Sequence, residues 1–130
     1  MSPSNIPGRF QNVAYVLLRM VAGFNLAVHG VQKLFGLFGS RMAHFPSQYW
    51  LGGVIELGCG LAIALGWGTR WAAFLASGTM AVAYIQFSWK LQTGAMLLPV
   101  VNKGELALVY CFLFLYLCTR GNGPWSLGRS

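Results

Sequence analysis

Apolar residues fall into four stretches along the chain, separated by short links rich in glycine or polar residues. The first, from about Phe10 to Phe38, is interrupted by Arg19, Asn25, His29, Gln32 and Lys33 but is still long enough to cross about 30 Å of hydrocarbon. The second, Tyr49 to Trp67, is nearly uniform and holds one charge, Glu56. Only Gly68 and Thr69 precede the third, Arg70 to Trp89, so these two stretches must return antiparallel as a hairpin. The fourth runs from Gly104 to Thr119 and closes on Arg120 and a polar tail. The pattern predicts helices at about 10–38, 49–67, 70–89 and 104–120. Together they form an all-α, integral membrane antiparallel four-helix bundle in which residues 1–130 make one membrane domain.

Tyr49, Trp50, Trp67, Trp71, Trp89 and Trp125 stand at or just beyond the ends of these stretches, where amphipathic rings anchor at the head-group level. Small residues repeat at helical spacing: Gly58, Ala62 and Gly66 on one stripe of the second helix, Gly60, Ala64 and Gly68 on the next, and Ala73, Ser77 and Ala81 on the third. Such stripes permit close helix approach, and the second and third helices are expected to pack tightly along their length.

Composition strengthens the membrane reading. Charged residues make up 8% of the chain against about a quarter in soluble domains, and 56% of residues are hydrophobic. The two acids, Glu56 and Glu105, and nine Lys and Arg are too few to coat a water-facing surface. The net charge of +7 comes from singly scattered residues with no basic run or reader motif, which excludes nucleic acid and fits loop-end cations meeting lipid head groups. Arg9, Arg70, Arg120 and Arg129 balance Lys33, Arg41, Lys90 and Lys103 across the membrane. Discounting Lys33 inside the first helix and Lys103 beside Glu105 places both termini in the cytoplasm. Arg19 breaks the apolar run after Leu18 and no small-x-small site follows, so the first helix is expected to persist rather than be cleaved as a signal peptide.

Polar groups inside a membrane span require partners. Arg19, Gly23, Leu26, Gly30 and Lys33 share one face of the first helix, and Asn25, His29 and Gln32 form the adjacent stripe. Antiparallel connectivity brings His29, Gln32, Lys33, Glu56, Gln86, Lys103 and Glu105 into one half of the membrane, with Arg19 about 15 Å from His29 along the helix. Two readings stand. In one, the acids pair with Lys33, Lys103 or His29 and fix the helix order. In the other, His29, Gln32, Lys33, Glu56, Gln86 and Glu105 form a small-molecule or proton site, and a quinone head group suits the inventory because its carbonyls accept hydrogen bonds while its tail enters from lipid.

A single helical histidine is too few for a b-type haem, and His44 falls in the following loop. No ligand spacing marks a metal site. Cys59, Cys111 and Cys118 lie in apolar runs without a CxxC pair. Cys111 and Cys118 are about 10 Å apart if they share a helix, beyond disulfide reach, whereas Cys59 meeting either one is open.

The segment LLRMVAGFNLAVHGVQKLFG at Leu17 to Gly36, GGVIELGCGLAIALGWGTRWAA at Gly52 to Ala73, and VVNKGELALVYCFLFLYL at Val100 to Leu117 with GPWSL at Gly123 to Leu127 resemble the DoxX family of small bacterial membrane proteins. The resemblance covers most of the chain. It implies a four-helix bundle in the inner membrane and, for some members, a place in quinone-linked sulfur oxidation or thiol redox systems. It also marks Arg19, His29, Gln32, Lys33, Glu56, Arg70 and Glu105 as the recurrent polar positions. The expected function is therefore the membrane component of a redox system whose polar cluster binds a quinone-like molecule while other membrane or redox subunits supply electrons. An accessory transmembrane subunit with no substrate of its own is the alternative, and a small transporter the third reading.

Overall fold

The computed structural model describes residues 8–37 and 42–128, and the positions Phe38, Arg41 and Arg129 of the sequence reading lie outside them. Among the described residues the chain is helical, without strands. Four long helices, α1 (Gly8–Phe35), α2 (Gln48–Leu65), α3 (Thr69–Ala83) and α5 (Glu105–Arg120), are joined by shorter pieces that include the single turn α4 (Pro99–Asn102). Two of them, α1 and α2, are long and apolar enough to cross a membrane.

Local chemistry sets the boundaries. Gly36, at φ +66°, takes the left-handed conformation that ends α1 and donates its N–H to the Gln32 carbonyl at 2.9 Å. Ser47 opens α2 by accepting the Trp50 N–H at 3.0 Å. Gly66, at φ +74°, closes α2, and the Trp67 N–H returns to Ala62 O at 2.9 Å, turning the chain within two residues into α3. The predicted third helix is not uniform: after Ala83 it widens into a π-helical turn, Tyr84–Trp89. That turn brings Tyr84 and Ser88 against Gly104, where a Cβ would lie 2.6 Å from the Tyr84 ring. The connection from Lys90 to Gly104, read from the sequence only as a link, is a 3-10 turn (Gly94–Leu97) and α4, held by Asn102. Its Nδ2 donates to Tyr84 OH and Met96 O, both at 3.0 Å, and its Oδ1 accepts the Gly104 N–H at 2.8 Å.

The closest helix pair is α1 with α2. Gly23, Ala27 and Gly30 of α1 face Gly53, Gly60 and Ala64 of α2 so closely that a Cβ on Gly23 would lie 2.7 Å from Gly60 O, and one on Gly30 2.7 Å from Gly53 O. Small residues thus let two backbones touch, but at the α1–α2 seam rather than chiefly in the expected α2–α3 hairpin. Gly58, assigned to the hairpin stripe, would meet nothing within 4 Å, and Ser77 turns towards α5, where its Oγ donates to Cys111 O at 2.7 Å. Leu26, Ile63, Ala73, Ala76, Phe114 and Leu117 fill the centre. The outer faces are apolar instead: Leu17, Val21 and Phe24 of α1, Phe74 and Leu75 of α3, and Val109 and Phe112 of α5 are exposed. An apolar coat of this extent belongs in lipid. Trp67, Trp71 and Trp125 are exposed at the end where α2 finishes and α3 begins, as ring anchors require. Cys59, Cys111 and Cys118 are free thiols.

Candidate functional site

Two polar centres lie at opposite ends of the α1–α2 seam. At one, Arg19 is 1% exposed, and its guanidinium is met by backbone rather than by an acid. Nη1 donates to Asn122 O at 2.5 Å and Pro124 O at 3.2 Å, and Nη2 to Trp125 O at 3.0 Å. The tail after α5 is thereby folded across the bundle end. Asn122 Oδ1 accepts the Thr69 N–H at 2.9 Å, Tyr15 OH donates to Gly121 O, and Leu127 and Gly128 donate backbone bonds to Leu65 and Gly66 at 3.1 Å each. Arg70 lies outside this knot and donates through Nη1 to the last carbonyls of α5, Thr119 at 2.9 Å and Cys118 at 3.3 Å. A cation at a helix C-terminus opposes the partial negative charge gathered there.

At the other end, Lys33 Nζ donates to Glu56 Oε1 at 2.7 Å. Glu56 is 2% exposed, and its second oxygen, Oε2, has no hydrogen-bond partner among the described residues. The Lys33 side chain is 21% exposed, and its ammonium also lies 4.9 Å from the centroid of the Tyr49 ring. The pair forms part of the wall of a cleft of about 500 Å³ between α2 and α3, whose other walls include Ile55, Phe74, Leu75, Val82 and Leu115. Ser77, Thr79 and Gln48 are its further polar lining. A hydrogen-bonding pair in an otherwise apolar recess is the arrangement that holds a lipophilic molecule with one polar end.

The remaining predicted residues are distributed around this pair. Gln86, on the π-helical turn, accepts a bond from Gln48 Nε2 at 2.6 Å and so stands at the cleft rim. His29 and Gln32 are half-buried on α1, outside the cleft wall. The seam places His29 level with Glu56, since its neighbour Gly30 abuts Gly53 and Leu57, but no hydrogen bond joins them. Glu105 is exposed at the start of α5, makes no ion pair among the described residues, and lines a separate recess with Lys103. No group of three metal-ligating side chains occurs among the described residues. The sequence reading missed the tail as Arg19's partner, because backbone carbonyls leave no mark in residue identity.

The DoxX family model matches residues 14–89, a stretch that contains Arg19, His29, Gln32, Lys33, Glu56, Arg70 and Gln86 and ends before Glu105. A protein of Haemophilus influenzae, described as an uncharacterized protein, is 36% identical over 114 residues, covering 85% of this chain and 84% of its own length. No solved structure matches the chain.

Proposed function

This chain belongs to the DoxX family of membrane proteins, and we propose that it is the membrane component of a quinone-linked redox system, holding a quinone-like head group beside Lys33 and Glu56. The observation that carries the reading is the Lys33–Glu56 pair set into the apolar cleft between α2 and α3. The inventory fits: the Lys33 ammonium has donors to spare for a carbonyl oxygen, the buried Glu56 carboxylate can take or give a proton, and the apolar wall suits a ring and its tail. A quinone supplies two-electron, two-proton chemistry when bound. Partner proteins supply the electrons, and residues of this chain orient the head group and hold the proton. Gln48 and Gln86 mark the polar rim, whereas His29 and Gln32 stand behind the pair on α1.

In this reading residues 1–130 form one domain that crosses the inner membrane four times. The 15 residues of α3 and the six of its π-helical turn reach about 30 Å together. The 16 residues of α5 rise about 24 Å, and Lys103 and Arg120 at its ends reach to the head groups. Lys33 is neutralised by Glu56, leaving Arg9, Arg70, Arg120 and Arg129 of the sequence against Arg41, Lys90 and Lys103, a small excess that supports cytoplasmic termini.

Titrating purified protein in detergent with a short-tailed quinone analogue tests the site. Wild type is expected to bind, and Glu56→Gln and Lys33→Met each to weaken binding about tenfold, the factor for loss of about 1.4 kcal/mol. Equal affinity in wild type and both variants removes the cleft from the proposal. No binding, with stoichiometric recovery in a larger complex, transfers it to an accessory subunit.

A further inference from the structure

A second recess adjoins the cleft at Phe74, which lines both, and lies towards the end of the molecule where α3 begins and α5 finishes. It measures about 300 Å³ and is lined by Arg70, Trp71, Phe74 and Cys118. Arg70 is exposed, and among the described residues only its Nη1 is engaged by hydrogen bonds, so Nε and Nη2 are left for a ligand. Trp71 is 83% exposed and belongs to the ring of tryptophans at this end. One turn further along α3, Phe74 is exposed towards the level that hydrocarbon occupies.

Charge distribution decides what such a recess accepts. The protein has two acidic side chains, Glu56 and Glu105, and both belong to the other half of the bundle. Around this recess stand Arg70 and, following the Thr119 carbonyl that Arg70 holds, Arg120, whose guanidinium lies 4.3 Å from the centroid of the Tyr15 ring. The recess lined by Lys103 and Glu105 carries both signs and does not select an anion in this way. An exposed guanidinium above an aromatic and thiol-lined apolar slot matches, level by level, a phosphate above an acyl chain. Planar guanidinium donors suit phosphate oxygens, and a cation-only end attracts anionic lipid over zwitterionic lipid.

We infer that this recess is a binding site for an anionic phospholipid, with Arg70 on the phosphate and Trp71, Phe74 and Cys118 along the first part of an acyl chain. The site shares Phe74 with the proposed quinone cleft but holds its ligand through Arg70 rather than Lys33 and Glu56, so the variants that test the one leave the polar groups of the other in place.

The test uses the full chain, delipidated in detergent and offered phosphatidylglycerol or phosphatidylcholine with the same acyl chains, with retained lipid counted by native mass spectrometry. Wild type is expected to retain phosphatidylglycerol in preference, and Arg70→Gln to lower that retention about fivefold, to the phosphatidylcholine level. Because Arg70→Gln also removes a cap from α5, a second variant, Cys118→Phe, fills the slot while leaving the arginine and both its carbonyl bonds, and it is expected to lose the same lipid. Inorganic phosphate in excess is expected not to displace the lipid. Equal retention of the two lipids by wild type, undiminished phosphatidylglycerol on both variants, or displacement by free phosphate would overturn the assignment.

Discussion

The two ends of the α1–α2 seam solve the same problem, a cation inside a membrane-facing bundle, in opposite ways. Arg19 is surrounded by three backbone carbonyls of the tail, and three of its hydrogen bonds are accounted for without an acid. Lys33 meets a single carboxylate whose other oxygen has no hydrogen-bond partner among the described residues, and the pair borders a cleft. The first centre is covered by the C-terminal tail, which it ties to α1, and its one unpartnered donor among the described residues, Arg19 Nε, is buried beneath that tail. The second is held together but not saturated, and a buried acceptor left without a donor costs about 1–3 kcal/mol that a ligand or a proton can recover. Polar residues in a membrane bundle therefore divide by what can reach the group left unsatisfied, for Arg19 and Glu56 are almost equally buried and each keeps one unpartnered atom among the described residues, but Glu56 lines a cleft whereas Arg19 lies under the tail.

The most disruptive way to break the contrast is at the seam that sets both ends. A Cβ on Gly60 would lie 2.6 Å from Gly23 O and 2.8 Å from Ala27 Cα, all backbone, so neither helix can yield locally. Gly60→Val is expected to cost at least about 3 kcal/mol and to shift α1 against α2 as a unit. Thermal unfolding in detergent reads the loss, and Gly58→Val on the same helix, with nothing within 4 Å of its Cβ, is the control expected to stay within about 0.5 kcal/mol.

Next in size is Arg19→Leu. It strands the buried carbonyl of Asn122 and removes the part-buried bonds to Pro124 and Trp125, for an expected destabilisation of about 3 kcal/mol. The tail should then detach, which limited proteolysis after Arg120 would detect, while the Lys33–Glu56 cleft keeps its ligand affinity. A tail as protected as in wild type would mean that Arg19 is not what holds it.

At the other end the expected loss is smaller and of a different kind. Removing one partner of a fully buried ion pair costs about 3–5 kcal/mol, but Lys33 is partly exposed and has the Tyr49 ring to turn to, so Glu56→Gln is expected to cost about 1–2 kcal/mol. Its larger effect should fall on ligand binding. A Glu56→Gln variant as destabilised as Arg19→Leu, with ligand affinity intact, would make the two centres alike and the cleft structural.

Parts of this division were legible in the residues. The hairpin turn was marked by the short link of Gly68 and Thr69, and the shared level of Lys33 and Glu56 followed from antiparallel connectivity. What connectivity supplies is depth, not direction around the bundle, and so it put Glu105 beside groups that it does not approach. Periodicity likewise found the small residues of α2 without identifying their partner, because small residues occur on several of its faces; the better signal was Gly23 and Gly30 on α1, two turns apart beside the same seam. Arg19's acceptors were hidden for a third reason. Any residue offers a carbonyl, and only the turn-forming Gly121 and Gly123, at φ +79° and +70°, hinted that the tail doubles back.

Glu105→Gln is the smallest expected effect and isolates depth from contact. Glu105 begins α5, where a carboxylate favours the positive end of the helix dipole, but it is exposed and forms no ion pair among the described residues. Loss of its charge should change stability by no more than about 0.5 kcal/mol and leave quinone-analogue affinity as in wild type. The sequence-level cluster would require the opposite, since an acid at the level of Lys33 and His29 should matter to whatever binds there. A tenfold loss of affinity in Glu105→Gln, with Glu56→Gln unaffected, would move the site from the α2–α3 cleft to the start of α5 and reverse the roles of the protein's two acids.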